Sequence, residues 1–254
     1  MTPEERARVI AMLPSEIPRS TMPEGDPHRI PKERALEQLR DWFRRRGRLV
    51  YLSSELAIYY PRESVFAPDV IAVLDVEPHP REKWVVSAEG RGLDFAMEVH
   101  VHGNAKKDRE ENVVRYARLG IPEYFLFEPL LRRLVGYRLE EGNRYTPIVP
   151  QAGRWCSNVL GLDLAMEGDK VRFYSGAAPL PDAEELILRL DSMVNASVER
   201  ELELASREGE LEAQLEQERQ AKEQERQAKE DALSRAEKLE ARLRALGVDP
   251  NDVK

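Results

Sequence analysis

Residues 94–128, DFAMEVHVHGNAKKDREENVVRYARLGIPEYFLFE, decide how the chain folds. From Asp94 to His102 apolar and polar residues alternate, so Phe95, Met97, Val99 and Val101 face one way, and Asp94, Ala96, Glu98, His100 and His102 the other. A period of two belongs to a strand with one face in a core. Residues 106–119 then read as a helix with Val113, Tyr116 and the stem of Arg115 near one face. Gly120 and Pro122 stop it in the order expected of a helix C-terminus. Residues 123–128 follow at once as a nearly continuous apolar run, the pattern of a central strand covered on both faces. Strand, helix and strand in this order imply an α/β fold around a mixed sheet with a crossover.

Working upstream, residues 49–60 and 66–76 are rich in β-branched and aromatic residues and read as a hairpin closed by Pro61-Arg62-Glu63-Ser64, with a short strand at Trp84-Val85-Val86. Residues 31–46 place Leu36, Leu39, Trp42 and Phe43 on one face of an amphipathic helix. A Pro- and Gly-rich loop, 18–31, precedes it, and before that Thr2, Pro3 and Glu5 form a helix start whose helix ends near Pro14. Downstream, short strands meander through 134–139, 145–149 and 171–174, with turns at Gly142-Asn143 and Gly168-Asp169. From Pro181 helix formers dominate to Leu246, with Gly247 as the stop. Residues 217–223 recur unchanged as 224–230, which is the coiled-coil period. The 4-3 seam of Ala232, Ala236, Leu239, Leu243 and Leu246 supports a coiled coil, whereas residues 210–230 read equally as a solvated helix held by Glu-to-Lys pairs. The expected organisation is a helix and loop over 1–30, a domain over 31–180 and a helical tail over 181–254.

The 254 residues carry 39 Lys+Arg against 47 Asp+Glu, and from Asp191 onward the balance is 11 against 17. The acidity therefore sits in the tail. A near-neutral body argues against a coat protein that binds nucleic acid through bulk positive charge, and leaves room for an enzyme touching a few phosphates. One cysteine, Cys156, excludes an intramolecular disulfide scaffold and a thiolate metal cage, and is read as a small buried hydrophobe. No apolar run approaches the ~20 residues that span a bilayer. The expectation is a protein of the reducing cytoplasm, away from membranes.

Two acids stand out, Asp69 in Phe66-Ala67-Pro68-Asp69-Val70 and Glu98 in the alternating strand. A carboxylate inside an apolar strand is costly unless it is paired or binds a metal, and two brought together repel unless a divalent cation takes oxygen from both. His100 shares the face of Glu98. The structural alternative is that Asp69 closes a strand end and Glu98 pairs with an arginine. Asp108 reads first as a helix N-cap and alternatively as an acid behind the metal ligands, with Asn112 one turn on. Lys106 and Lys107, just past the strand, are placed to approach a phosphate from the loop. Tyr116, Trp42, Phe43 and Tyr124 read as core, and His28 and His79 as loop residues needing no role.

Pro68-Asp69, then Glu98-Val99-His100, then a helix with Asp108 and Tyr116, then Gly120-Ile121-Pro122-Glu123-Tyr124 and the apolar strand ending in Glu128-Pro129, together resemble the Uma-type putative restriction endonuclease family. That family is a branch of the PD-(D/E)xK nuclease superfamily, and the resemblance spans residues 30–175, excluding the tail. It implies a restriction-endonuclease-like mixed sheet flanked by helices and a magnesium-dependent phosphodiesterase centre. In that centre Asp69 and Glu98 bind the metal and the Val99 carbonyl completes its inner shell. The chain departs from the pattern at two places. The superfamily carries a lysine two residues after the glutamate, where this chain has His100, and the branch often supplies one from the next helix, where this chain has Asn112. A neutral His100 can orient or deprotonate the attacking water, or can ligate the metal and shift preference toward manganese. The expected function is a Mg2+- or Mn2+-dependent endonuclease cutting nucleic acid, DNA before RNA, that forms homo-oligomers through its tail. The alternative is a nuclease fold that has lost its chemistry and presents the tail to a partner.

Overall fold

In the computed structural model, which describes residues 2–15, 25–103 and 105–246, the first helix starts on a reciprocal cap. The Glu5 N–H donates to Thr2 Oγ1 and the Thr2 N–H to the Glu5 carboxylate, opening α1 (Pro3–Met12) as its sequence predicts. The second helix, α2 (Asp26–Arg45), begins five residues before the expected start at Pro31. The true start is Gly25, whose carbonyl accepts the N–H groups of His28 and Arg29, with Pro27 in the first turn. Pro31 sits inside the helix, where its ring removes one backbone bond. Its apolar face, Ala35, Leu36, Leu39 and Phe43, is buried as the spacing requires.

Three strands arise where a simple hairpin is expected: β1 (Val50–Ser53), β2 (Ala57–Tyr59) and β3 (Val70–Leu74). β1 and β3 do pair antiparallel, Val50 opposite Leu74. The chain breaks between β1 and β2, where Glu55 takes φ of 52°, and β2 leaves the sheet to pair in parallel with β4 (Lys83–Val85). Alternation is the same for one long strand and for two that diverge, so the break is invisible in the pattern. After a single helical turn, α3 (Val86–Glu89), come β5 (Phe95–Val99), α4 (Asn112–Arg118) and β6 (Glu123–Glu128). β5 and β6 are parallel, Phe95 opposite Glu123, and α4 is their crossover. β7 (Arg133–Glu140) and β8 (Arg144–Pro147) complete a six-stranded mixed sheet in the order β1-β3-β5-β6-β7-β8.

The predicted alternation of β5 divides the core in two. Phe95, Met97 and Val99 join Leu39, Phe43, Phe125 and Phe127 on one face of the sheet, while Ala96 joins Tyr51, Trp84, Tyr116 and Tyr124 on the other. The expected meander does not simply extend this sheet. β9 (Arg154–Ser157), β10 (Leu162–Glu167), β11 (Lys170–Ser175) and β12 (Ala178–Pro179) form a second sheet in the order β12-β11-β10-β9, and its Leu162, Leu164 and Phe173 close over the first cluster. Leu162 and Leu164 alternate with Asp163, so this missed strand had a signal in the sequence. Cys156, expected to be buried, is exposed on β9, and its neighbour Ser157 is the one turned inward. Ser157 donates to the buried Glu123 carboxylate, which also receives Arg138 and the Asn158 N–H. One carboxylate thus fastens β9 to β6 and β7.

The chain divides into two compact units, Met1–Leu186 and Ile187–Lys254. The last helix, α5 (Ala183–Ala245), opens at the end of the first and has no buried residue. In the second unit the duplicated heptad makes the same pair twice, Glu218 with Lys222 and Glu225 with Lys229, each with the acid four residues ahead of the base. Gly247, expected as the stop, lies outside the described residues.

Gly136 on β7 lies close against side chains of the first cluster. A Cβ there would stand 2.7 Å from the buried Phe125 ring and 3.1 Å from Ile148 Cδ1. Gly136→Ala is therefore expected to destabilise the fold by about 1–3 kcal/mol through overpacking, read as a lower denaturant midpoint with unchanged slope.

Candidate active site

β3 and β5 pair with Val70 opposite Met97, and one step further along the same register Asp69 comes opposite Glu98. Both are buried, Asp69 at 8% and Glu98 at 5% exposure. The acids cross-link the strand ends. The Val99 N–H donates to Asp69 Oδ2 at 2.7 Å, and the Asp69 N–H reaches Glu98 Oε2 at 3.4 Å. The other oxygen of Glu98 accepts the Tyr116 hydroxyl at 2.5 Å and Asn112 Nδ2 at 3.3 Å. No arginine pairs with Glu98 among the described residues, so the salt-bridge alternative lacks its partner. Burial, and after it the neighbouring charge of Asp69, hold the Glu98 carboxyl well above the usual carboxylate range, with Asp108 adding to the rise. The Tyr116 hydrogen bond and the charge of Lys107 act against this shift. Burial and the nearby Glu98 in turn push the Tyr116 hydroxyl up.

The segment leading into α4 is a π turn, Lys107–Glu111, in which the Asn112 N–H bonds the Lys107 carbonyl. Such wide turns are rare and frequently lie at functional sites. It corrects the N-cap reading of Asp108, whose side chain caps nothing here. Asp108 instead accepts from Asn112 at 3.1 Å and meets His100 Nδ1 at 3.0 Å, while its carbonyl accepts the Tyr124 hydroxyl. His100, Asp108, Asn112 and Glu98 are thereby one connected polar chain. Lys106 and Lys107 are exposed beside it, and Tyr116, read only as core, is both core and a partner of Glu98.

Three residues enter that the sequence reading leaves out. His28 is not in a loop but on α2, its Nε2 3.2 Å from Asp69 Oδ2. Lys32, one turn on and 3% exposed, pairs with Glu55 and lies 3.8 Å from Asp69 Oδ1. Glu55 is presented by the kink after β1, which is tied down where its N–H donates to the Pro68 carbonyl and Ser54 Oγ donates to the Asp69 carbonyl. Ligand atoms of His28, Glu55 and Asp69 lie within 4.8 Å of one another. The signal that reaches them is Gly25-Asp26-Pro27, a helix start that puts His28 and Lys32 four residues apart on one face. The donor set around Asp69 is carboxylate oxygen with one imidazole nitrogen, and the acid pair lacks a neutralising arginine. Such chemistry fits a divalent cation of the magnesium or manganese type.

The Uma2 family model, described as "Putative restriction endonuclease", matches residues 8–167, more than half of the chain. Among solved structures, one described as a putative nuclease belonging to DUF820, from Anabaena variabilis, aligns at 12% identity and a TM-score of 0.45. The alignment covers 57% of this chain and 79% of that one. No curated protein matches.

The raised carboxyl of Glu98 has a thermodynamic signature. Folded, metal-free protein holds this proton above the ordinary value of 4.5 at which the unfolded chain gives it up, so its stability falls as pH rises from there. The slope from this group is at most about 1.4 kcal/mol per pH unit. Glu98→Gln removes the effect. Denaturant melts in chelator are expected to show E98Q more stable than the unmodified protein at pH 8, with the gap closing toward pH 4. The reverse order at pH 8 would mean that the carboxylate is ionised and well paired.

Proposed function

This chain belongs to the Uma2 family of putative restriction endonucleases, and from that premise we propose that it is a divalent-metal-dependent endonuclease hydrolysing phosphodiester bonds in nucleic acid, DNA in preference to RNA. The observation that carries the reading is Asp69 set opposite Glu98 in register, buried, with no arginine between them among the described residues. Asp69, Glu98 and the Val99 carbonyl are the proposed ligands of Mg2+ or Mn2+. A divalent ion held there would supply the Lewis acid that lowers the pKa of a bound water and offsets charge on phosphorus. The remaining tasks fall to the side chains. Asn112 and Tyr116 hold one oxygen of Glu98, and the Val99 N–H holds Asp69. Asp108 at Nδ1 of His100 leaves Nε2 as the nitrogen able to take a proton from the attacking water. As the water oxygen joins phosphorus the ester P–O bond breaks, and the leaving oxygen departs with a proton from solvent. Lys106 and Lys107 offer exposed cations to the backbone phosphates.

A second reading rests on two observations: His100 and Asn112 occupy the positions where the resemblance calls for lysine, and α5 has no buried residue over 63 residues. In it the fold serves as an interaction or oligomerisation module. Both readings give the tail from residue 181 to self-association through the seam of Ala232, Ala236, Leu239, Leu243 and Leu246, of which Leu239 is 66% exposed in the single chain.

Asp69→Asn and Glu98→Gln are each expected to abolish metal-dependent cleavage, with the double variant no worse because the site fails at the first loss. Single-turnover cleavage of DNA and RNA with Mg2+ and Mn2+ checks this. Calorimetry beside it is expected to show a divalent ion bound by the unmodified protein and not by either variant. A protein that binds no ion and cuts neither polymer returns the second reading.

For the tail, light scattering at tens of micromolar is expected to report an oligomer that Leu239→Glu with Leu243→Glu dissociates. A monomer for the unmodified chain removes the seam as an interface.

A further inference from the structure

The ammonium of Lys32 is nearly sealed from water, at 3% exposure, and the described groups around it are acids: it pairs with Glu55 and stands 3.8 Å from Asp69 Oδ1. It comes from α2, an element that carries neither of the acids of the strand pair. His28 lies four residues earlier on the same helix face and meets the other oxygen of Asp69. The slot framed by His28, Glu55 and Asp69 has the spacing of a cation site, and Lys32 Nζ stands against two of its three members, Glu55 and Asp69. Lys83 is also buried, but it donates to the Leu13 carbonyl, away from the acids.

We propose that Lys32 is a positioning lysine of this centre, a built-in second cation that sits beside Asp69 where another metal ion would otherwise bind, so that the site works with one divalent ion. This rests on the nuclease reading above and adds a residue and a metal count to it. Asp69 is shared: Oδ2 faces Val99 and His28, and Oδ1 faces Lys32. From its place beside Asp69 Oδ1 the ammonium offsets part of that carboxylate's charge, so a phosphate drawn to the Asp69 end meets less repulsion as negative charge grows on its nonbridging oxygens. No bond to Lys32 is made or broken, and its proton stays on it. α2 is a rigid element packed on the core through Leu36, Leu39 and Phe43, so the ammonium is held in place before substrate arrives.

The test uses the whole 254-residue chain, Mn2+ and Mg2+ as probes, and Lys32→Met with Lys32→Arg. Calorimetry and manganese paramagnetic resonance should count one ion per unmodified chain. Two ions bound there, with His28 and Glu55 as ligands, would overturn the proposal, since the second would have displaced the lysine, and this count needs no variant to fold. K32M should lose at least 100-fold in single-turnover cleavage while binding Mn2+ as tightly or more tightly, the count rising toward two. K32R should keep more cleavage than K32M with an unchanged count. Undiminished cleavage by K32M, or loss of metal binding together with cleavage, would assign Lys32 to scaffolding and overturn the proposal while leaving the nuclease reading intact. An unmodified protein that neither binds an ion nor cuts fails the nuclease reading itself, and the lysine proposal with it.

Discussion

Two carboxylates that would repel in isolation are set opposite each other at the ends of β3 and β5, and much of the first unit is arranged around that constraint. The strand register brings them there: Val70 faces Met97, and Asp69 just before it reaches Glu98 and the Val99 N–H by hydrogen bonds. Their mutual repulsion is met in part by hydrogen bonds, from the Val99 N–H, Asn112 and Tyr116, and in part by keeping a proton on Glu98. Such bonds satisfy the oxygens, and Lys32 offers its charge only at Asp69 Oδ1, so the acid pair keeps the chemistry of a divalent-cation site.

Each surrounding element contributes to that site in a different way. The crossover between β5 and β6 opens with a π turn, which sets Asp108 and Asn112 facing each other and joins His100 to Glu98 through them. The break between β1 and β2 turns Glu55 toward Asp69, and α2 supplies His28 and Lys32 from the opposite side. The second sheet takes no part in the site. Its Leu162, Leu164 and Phe173 complete the cluster on which α2 is seated, and Glu123 pins it to the central strand. A fully satisfied buried network of this kind specifies one packing of the two sheets.

Several features were legible from residue order alone because they depend on neighbours in the chain. The β5–α4–β6 crossover followed from a change of period between 94 and 128, the acid pair from two carboxylates in apolar strands, and the capping box from Thr2 and Glu5. The family likeness followed from the same residues, and the match over 8–167 agrees with it. The start of α2 was missed because Pro31 imitates a first-turn proline as well as Pro27 does. That error hid His28 and Lys32, since a histidine placed in a loop points nowhere in particular.

What the sequence by itself determined is therefore local: most strands and helices of the body, the faces they bury, the acids Asp69 and Glu98 and the uninterrupted helix-forming tail. Periodicity and capping act over a few residues, and a linear pattern carries them in full. Tertiary structure alone decided that β2 leaves the sheet, that a second sheet closes the core, and that His28, Lys32 and Glu55 meet at Asp69. Those outcomes depend on which buried surfaces and charges come together across 14 to 41 residues of chain, from Glu55 to Asp69 and from His28 to Asp69. Burial and charge pairing have no period to be read in advance.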